Sequence, residues 1–280
     1  MRKLIPFFLA SIVFGLTGCD KIKYEVDNPF AGLPTRVLMH RGNGSNQDFT
    51  ENTLPAAEYG LSIMDGIEQD IQYSKDGTLW LDHGNEVFDC NGNEMGCFQT
   101  LTDDEIESVA ECDGVIRYYT LESVFELMSS QYPDSYISLD IKDQYCEIIN
   151  ARETMRQMAQ SVLALVEKYH MEKKVLVESG SVEFLQEMDN QSSVGQCYIE
   201  HNDLDEGIAN AAYTKARGVS INYLAGALNT DVVSFVHNEG YGLIVWTVNE
   251  PEAIRSIWES HPDFIETDNP DFKDYIDQTK

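Results

Sequence analysis

Basic residues are scarce in this sequence. Its 280 residues include 19 Lys and Arg against 48 Asp and Glu, which gives a formal net charge of -29 at pH 7. Nucleic-acid phosphates are bound through clustered Lys and Arg side chains, so this balance argues against a nucleic-acid partner. An acidic surface suits divalent cations and high ionic strength, although the need for solubility explains the charge equally well.

Other features are missing too. No two of the six cysteines have CxxC spacing and no His lies at zinc-finger distance from them, which argues against a structural zinc site. The apolar run at residues 4–16 has 13 residues, too few to cross a bilayer comfortably. Because the chain also lacks low-complexity runs and a second internal linker, we expect one folded domain.

The short apolar run is typical of an export signal. A basic pair, Arg2 and Lys3, precedes it, and two small residues separate it from Cys19. A basic start, a short apolar stretch and small residues before the cleavage point indicate a secretory signal. The stretch at residues 16–19 resembles the lipobox of bacterial lipoproteins, in which the Cys thiol carries the lipid. The alternative is a plain signal peptide with a coincidental Cys.

We therefore expect a lipoprotein signal peptide over residues 1–18, and a lipidated Cys19 with its tether over residues 19–35. An acylated Cys anchors a protein to a membrane without spanning it. The expected location is the bacterial cell envelope, with the domain facing the periplasm or the exterior.

This compartment is oxidising, which permits disulfides among the other five cysteines. Cys90 and Cys97 bracket a turn-rich loop and are one candidate pair. Cys112, Cys146 and Cys197 are available for a second bond, and at least one thiol must stay unpaired within the monomer.

Extended apolar segments alternate with helical patterns beyond the tether. The extended segments lie at residues 36–40, 66–73, 136–142, 175–178, 194–199, 219–223, 243–248 and 264–267. Helical patterns between them include residues 54–64, 151–170, 182–188, 231–238 and 252–258. Eight strands with intervening helices predict an α/β fold, a (β/α)8 TIM barrel over residues 36–280.

The alternation is broken by an inserted excursion over residues 84–135, after a hairpin strand at residues 79–82. Thr102 and Glu105 have the spacing of a capping box and predict one short helix, and residues 121–128 predict another. An excursion after a strand's end belongs on the functional face of a barrel or acts as a stability cap.

Two carboxylates share one face of the second extended segment. Glu68 and Asp70 are separated by one residue, so both side chains point to the same side of a strand. Taken alone, such a pair is most often a solvated strand face. If it is buried instead, the repulsion between the carboxylates requires a positive charge between them.

The hairpin brings an imidazole toward this pair. With residues 74–77 as the turn, Tyr73 lies opposite Thr78, and counting back places His83 opposite Glu68 on an antiparallel return strand. Two carboxylates and an imidazole so close together predict a hard divalent cation beside an acid/base group.

Short motifs elsewhere complete a pattern. They are His40-Arg41-Gly42, Glu51-Asn52-Thr53, Gly66-Ile67-Glu68-Gln69-Asp70, Thr78 to His83, Leu139-Asp140-Ile141-Lys142, Trp246-Thr247-Val248-Asn249 and Thr267-Asp268. In this order they resemble the glycerophosphodiester phosphodiesterase family, over about residues 37–270. Each motif is weak alone, whereas seven in sequence are specific. The resemblance implies a barrel that hydrolyses glycerophosphodiesters to glycerol 3-phosphate and an alcohol with a divalent cation, Ca²⁺ or Mg²⁺.

The resemblance also implies roles for single residues. Glu68 and Asp70 match metal ligands, and Asp140 stands where the family usually has a third carboxylate, a Glu. His40 and His83 match the two histidines that share general acid and base work.

Three further residues are expected to bind the substrate. Arg41 and Lys142 match the basic residues that hold the phosphate; a planar guanidinium and a point charge both neutralise phosphate oxygens as charge builds up. Trp246, at a strand's end, is expected to form a wall against the glycerol half, with core packing as the alternative.

The sequence departs from the family pattern at three places. Thr50 replaces the usual Pro before Glu51, Gly84 replaces an Asp that commonly follows the second histidine, and Asp140 is one methylene shorter than Glu. These departures leave two alternative functions open. One is a phospholipase D-like enzyme acting on lysophospholipid or sphingomyelin head groups, and the other is a non-catalytic phosphodiester-binding lipoprotein.

Overall fold

The computed structural model describes residues 32–143, 146, 150–189, 194–200, 202–225 and 228–277. The expected signal peptide, Cys19 and most of the tether lie outside these residues. No helix within the described ranges is both long enough and apolar enough to cross a membrane.

Eight parallel strands close into a barrel. They are β1 (Arg36–Met39), β2 (Gly66–Tyr73), β3 (Tyr136–Ile141), β4 (Val175–Ser179), β5 (Gly195–Glu200), β6 (Gly218–Asn222), β7 (Gly242–Trp246) and β8 (Phe264–Thr267). Each strand pairs with the next one along the chain, and both β2 and β8 pair with β1, which closes the ring. The predicted (β/α)8 barrel is confirmed.

Helices cover the outside of the barrel. They are α1 (Leu54–Ile63), α2 (Asp103–Ala110), α3 (Leu121–Gln131), α4 (Ala151–Tyr169), α5 (Val182–Asp189), α6 (Leu204–Thr214), α7 (Thr230–Asn238), α8 (Pro251–Ser260) and α9 (Phe272–Asp277). Two of them, α2 and α3, lie in the excursion. Thr53 caps α1, and the predicted capping box of Thr102 and Glu105 is formed at the start of α2. The unpredicted α6 also begins at a cap, since the Asp203 carboxylate accepts the first free N–H groups.

Side chains inside the barrel change from apolar to polar along the strands. An apolar cluster closes the interior near the N-terminal ends of the strands and comprises Leu38, Tyr136, Leu176, Cys197, Ile244 and Phe264. Inward positions nearer the C-terminal ends are polar and include Glu68, Ser138, Glu178, Ser220 and Glu266, all of them buried. Because alternate residues of a strand face the same side, this change places the polar groups together at the catalytic end of a barrel.

The strand that follows β2 returns antiparallel, as predicted, but in a different register. Tyr73 lies opposite Leu79 rather than opposite Thr78. Thr78 instead pairs with Ser74, whose N–H donates to the Thr78 carbonyl at 2.9 Å, so the turn contains three residues and not four. The predicted position of His83, directly opposite Glu68, is therefore wrong.

The excursion has a small core of its own. Two hairpins, residues 86–97 and 111–116, stand beside α2. The buried side chains that pack between them are Trp80, Val87, Phe98, Ile106, Ala110 and Tyr118. This core makes the excursion a folded unit attached to the edge of the barrel sheet.

Two disulfides hold the excursion. One joins Cys90 to Cys112 between the two hairpins, and the other joins Cys97 to Cys146 in the segment after β3. Cys197 is a buried free thiol. The predicted pairing of Cys90 with Cys97 is wrong because the hairpin places Cys90 in its turn and Cys97 at the far end of its second strand.

We expect the two disulfides to stabilise the fold to different extents. Each disulfide lowers the conformational entropy of the unfolded chain and so stabilises the folded state. This stabilisation is about 4 kcal/mol for the Cys97–Cys146 bond and about 3 kcal/mol for the Cys90–Cys112 bond, because the first closes the longer loop. Replacing each pair by Ser and measuring the free energy of unfolding by chemical denaturation checks this order. Peptide mapping of the oxidised protein provides the control, and a Cys90–Cys97 cross-linked peptide would contradict the structure.

Candidate active site

A cavity of about 720 Å³ opens at the C-terminal ends of the barrel strands. Predicted site residues on its wall are His40, Arg41, Glu68, His83, Asp140, Lys142 and Trp246. Asp70 lies behind them, almost fully buried, and contacts the cavity through Lys142 and Arg41. The barrel thus brings all eight residues to one end.

Three carboxylates form a compact group at the floor of the cavity. One oxygen each from Glu68, Asp70 and Asp140 lies within 4.8 Å of the others. β2 supplies the first two and β3 the third, and the register sets Asp70 beside Asp140. Burial and then the charges of the other two carboxylates raise the pKa of Glu68 well above its usual range. Burial likewise raises the pKa of Asp140 to about 6.

This group fits a divalent cation. The Arg41 backbone N–H donates to Glu68 Oε2 at 2.9 Å, whereas the buried Oε1 has no hydrogen-bond partner among the described residues. Hard cations such as Ca²⁺ and Mg²⁺ take several carboxylate oxygens as ligands. A buried oxygen without a donor, beside two further carboxylates, is the environment that a cation would neutralise.

Two basic side chains flank the carboxylates. Lys142 Nζ lies 2.7 Å from Asp70 Oδ1 and 2.5 Å from Asp140 Oδ2. Arg41 Nε lies 3.2 Å from Asp70 Oδ2. Burial alone would raise the pKa of Asp70, but the charge and hydrogen bond of Lys142 outweigh it and lower that pKa. These contacts place positive charge beside Asp70 and Asp140.

Asn52 fixes the orientation of Asp70. Its Nδ2 donates to Asp70 Oδ2 at 2.6 Å, and its Oδ1 accepts the Asp70 backbone N–H at 3.0 Å. The neighbouring Glu51 accepts two hydrogen bonds from Arg41 Nη1, at 3.0 and 3.1 Å. Glu51 therefore holds the guanidinium, whereas Thr53 caps the helix.

The backbone conformation and the close packing at position 42 explain why a glycine follows His40 and Arg41. It has φ +77°, and a Cβ there would lie 2.9 Å from the Ala56 and Ala57 backbone and the Gln69 side chain. A larger residue would push the β1 loop away from α1 and move the two residues before it.

His40 is held by a carboxylate from the far end of the chain. Its Nδ1 lies 2.7 Å from Asp268 Oδ1, and its Nε2 faces Glu68 Oε2 at 3.9 Å. Burial opposes the ionisation of Asp268, but the hydrogen bond with His40 lowers its pKa. Asn249 supports the pair by donating to Asp268 Oδ2 at 2.8 Å and accepting the Asp268 backbone N–H at 2.8 Å.

His83 lacks such support. It lines the cavity at the start of the excursion, and no hydrogen bond or ion pair joins its ring to another described residue. The adjacent Asp82 carboxylate accepts the Gly84 backbone N–H at 2.7 Å, and no hydrogen bond joins it to the His83 ring. Burial lowers the pKa of His83, and Lys142 and Arg41 lower it further against the effect of Asp70.

Trp246 lines the cavity at the C-terminal end of β7. Its Nε1 donates to Ser220 Oγ at 2.7 Å, and Ser220 in turn donates to Glu178. The ring is thus fixed by hydrogen bonds within the barrel while one face borders the cavity.

Sequence reasoning missed several residues of this site. Asp268, Asn249 and Asn52 stood inside recognised motifs without an assigned role, and their partners lie 18 to 228 residues away in the chain. Glu178 and Glu266 stood in no motif, and the only available signal was a charged residue at an inward position of a strand.

Comparison with known proteins identifies the family. The sequence profile described as "Glycerophosphoryl diester phosphodiesterase family" matches residues 40–272. A glycerophosphodiester phosphodiesterase of Bacillus altitudinis is 26% identical over 247 residues, which is 85% of this chain and 96% of the relative.

Solved structures share the fold. A glycerophosphodiester phosphodiesterase from Parabacteroides distasonis superposes with a TM-score of 0.73 at 20% identity, over 88% of this chain and 98% of that one. An Oleispira antarctica phosphodiesterase in complex with sn-glycerol-3-phosphate gives a TM-score of 0.67 at 17% identity, over 87% and 97% of the two chains. Since the family profile runs from His40 to the start of α9, this chain belongs to the glycerophosphoryl diester phosphodiesterase family of enzymes.

Proposed function

We propose that this enzyme hydrolyses glycerophosphodiesters to glycerol 3-phosphate and an alcohol, with a divalent cation on Glu68, Asp70 and Asp140 and with His40 and His83 as base and acid. The observation that carries the proposal is the convergence of three carboxylates, two imidazoles and two basic side chains on one cavity. Product release from a panel of deacylated glycerophosphodiesters with different alcohols tests it, and no turnover of any member would refute it.

The three carboxylates would hold the cation, which supplies electrophilic stabilisation of the phosphate charge when bound. Arg41 and Lys142 lie beside the carboxylates and act on the same charge. A diester that approaches them shares their positive charge, since both side chains line the cavity. The repulsion between the phosphodiester and an attacking oxygen falls as a result.

The supported histidine is suited to be the base. With Nδ1 hydrogen-bonded to Asp268, the neutral His40 ring exposes Nε2 as its acceptor, and the carboxylate stabilises the imidazolium that forms. His40 Nε2 takes the proton from the attacking hydroxyl, whether that hydroxyl belongs to the substrate or to water.

His83 is suited to be the acid. Its position at the cavity edge is open to the departing alcohol. Because the pKa of His83 is lowered, its protonated ring is a stronger acid than an ordinary imidazolium. The same shift lowers the upper limit of the pH range in which His83 is protonated. The proton passes from the imidazolium to the leaving alkoxide.

The two rival functions receive less support. A phospholipase D-like enzyme would need an apolar rim for acyl chains, but none of the large exposed apolar side chains in the described part of the chain lines the cavity. A non-catalytic binding protein would lack the third carboxylate or have the second histidine outside the cavity. In this chain Asp140 lies with the other two carboxylates, and His83 lines the cavity.

We also propose that the enzyme is a lipoprotein anchored through Cys19 in the cell envelope. The basic start, the short apolar run and the lipobox resemblance support this location. The two disulfides are compatible with an oxidising compartment.

The histidine pair generates a graded prediction. His40→Ala and His83→Ala should each lower kcat by about 10²-fold or more, because each removes a proton-transfer group. Asp268→Asn should give a smaller loss than either Ala variant, because the imidazole remains but Nδ1 loses the carboxylate that sets its tautomer and stabilises the imidazolium. His237→Ala, outside the cavity, is the control in the same glycerol 3-phosphate release assay. Near-native turnover in either cavity variant would exclude that residue from the mechanism.

Metal dependence is expected to be complete. Excess chelator should abolish turnover, and Ca²⁺ or Mg²⁺ should restore it. Glu68→Gln should weaken Ca²⁺ binding by about 10-fold or more in isothermal titration, because it removes a charged oxygen ligand. Glu259→Gln makes the same chemical change on an exposed helix position and should bind as the unaltered protein does. Full turnover in chelator would rule out the metal.

Lipid anchoring predicts that Cys19→Ser moves the protein from the membrane fraction to the soluble fraction. The loss of the acylated thiol removes the only anchor that we propose. Fractionation of expressing cells followed by detection of the protein measures this, with the unaltered chain as control. Membrane retention of the Ser variant would contradict the proposal.

A further inference from the structure

The barrel interior contains a second pair of acidic side chains that the proposed mechanism does not use. Glu178 projects from β4 and Glu266 from β8; both line the cavity wall, and they are only 2% and 4% exposed. Burying two carboxyl groups in a barrel is costly unless each oxygen finds a partner. The partners of the two residues differ, and that difference indicates their roles.

Glu178 is fully engaged by the protein. Ser138 Oγ donates to its Oε1 and Ser220 Oγ donates to its Oε2. Ser220 also accepts the hydrogen bond from Trp246 Nε1. Glu178 therefore has a structural task, because it fixes Ser220 and through it the Trp246 ring at the cavity wall.

Glu266 is only half satisfied. Its side chain is hydrogen-bonded to Glu178, and its buried Oε1 has no partner among the described residues. Burial, followed by the charges of Glu178 and Glu68, raises the pKa of Glu266 well above its usual range. A hydrogen bond between two carboxyl groups requires a proton on one of them. Both Glu178 oxygens accept hydrogen bonds from serine hydroxyls, so Glu266 is the donor of the pair and its other oxygen remains an acceptor.

An acceptor of this kind suits a neutral donor better than a cation. Glu266 does not belong to the group of mutually close carboxylate oxygens that fits the metal. Its protonated form carries no charge to offer an ammonium group. A hydroxyl group is the donor that a phosphodiester with a glycerol half would bring into the cavity.

We propose that the carboxyl group of Glu266, which lines the cavity, accepts a hydrogen bond from a hydroxyl of the glycerol half of the substrate, beside the Trp246 ring that Ser220 and Glu178 hold in place. This assignment rests on the proposed function for the identity of the substrate. Arg41 and Lys142 line the same cavity and bind the phosphate, so one diester contacts these basic groups and the Trp246 ring. Glu266 then determines specificity, since a ligand without the hydroxyl leaves the buried acceptor unpaired.

Binding of two phosphate monoesters tests the assignment without turnover. The ligands are sn-glycerol 3-phosphate and propyl phosphate, which has the same carbon chain without hydroxyls. Isothermal titration of the folded protein, in one calcium-containing buffer, compares the unaltered chain with Glu266→Leu, Glu266→Gln and the exposed control Glu259→Leu. Thermal denaturation checks that each variant is folded, and Glu266→Met replaces the Leu variant if that one fails to fold.

The unaltered protein should bind glycerol 3-phosphate about 10-fold more tightly than propyl phosphate. Glu266→Leu should abolish this preference without weakening propyl phosphate binding. Glu266→Gln should keep it, since the amide retains a carbonyl acceptor and can donate an N–H to Glu178. The control should behave as the unaltered chain.

Two outcomes would overturn the assignment. A preference that survives in Glu266→Leu removes Glu266 from the glycerol site, and an equal loss for both ligands makes its role structural. Failure of the proposed function is distinguishable, because it appears as absent turnover of glycerophosphodiesters in the unaltered protein whatever the binding preference.

Discussion

The repulsion among three buried carboxylates is the constraint on which the site depends. Glu68, Asp70 and Asp140 lie too close together to be ionised without compensation, and the chain supplies it with Lys142 and Arg41. The compensation is uneven, because Lys142 pairs with Asp70 and Asp140 and the Arg41 guanidinium pairs with Asp70, while Glu68 keeps a buried oxygen without a donor. A site left in this state has capacity for one more positive charge, which is the physical basis for assigning it to a cation.

The two histidines differ because their supports come from different parts of the fold. His40 is held between β1 and the loop after β8, which are neighbours in the closed ring, so Asp268 reaches it over a short path. His83 lies where the antiparallel return strand leads into the excursion, and no described side chain holds its ring. A ring fixed by a carboxylate suits a base that must accept a proton at a defined place. A ring at the cavity opening without such a partner suits an acid that meets leaving groups of different shape.

Much of the fold and part of the site follow from local patterns. Alternating apolar segments and helix caps such as Thr53 and Thr102 are properties of consecutive residues, so the eight strands and most helices were predicted to within two residues. The Glu68 and Asp70 pair was visible for the same reason, since a spacing of two places both on one face. The hairpin register failed because one hydrogen-bonded pair, Ser74 with Thr78, shortens the turn by a residue and shifts all the later pairs.

The sequence by itself determined that this chain forms a barrel with acidic and imidazole groups at the ends of its strands, and its motifs indicated the family. Only the tertiary structure decided which groups meet: Asp268 with His40, Asn52 with Asp70, Cys97 with Cys146, and Glu266 with Glu178. The reason is physical. Strand period and capping act within a few residues, whereas these contacts depend on the closure of the ring and on turn lengths, which bring distant residues to one end of the barrel.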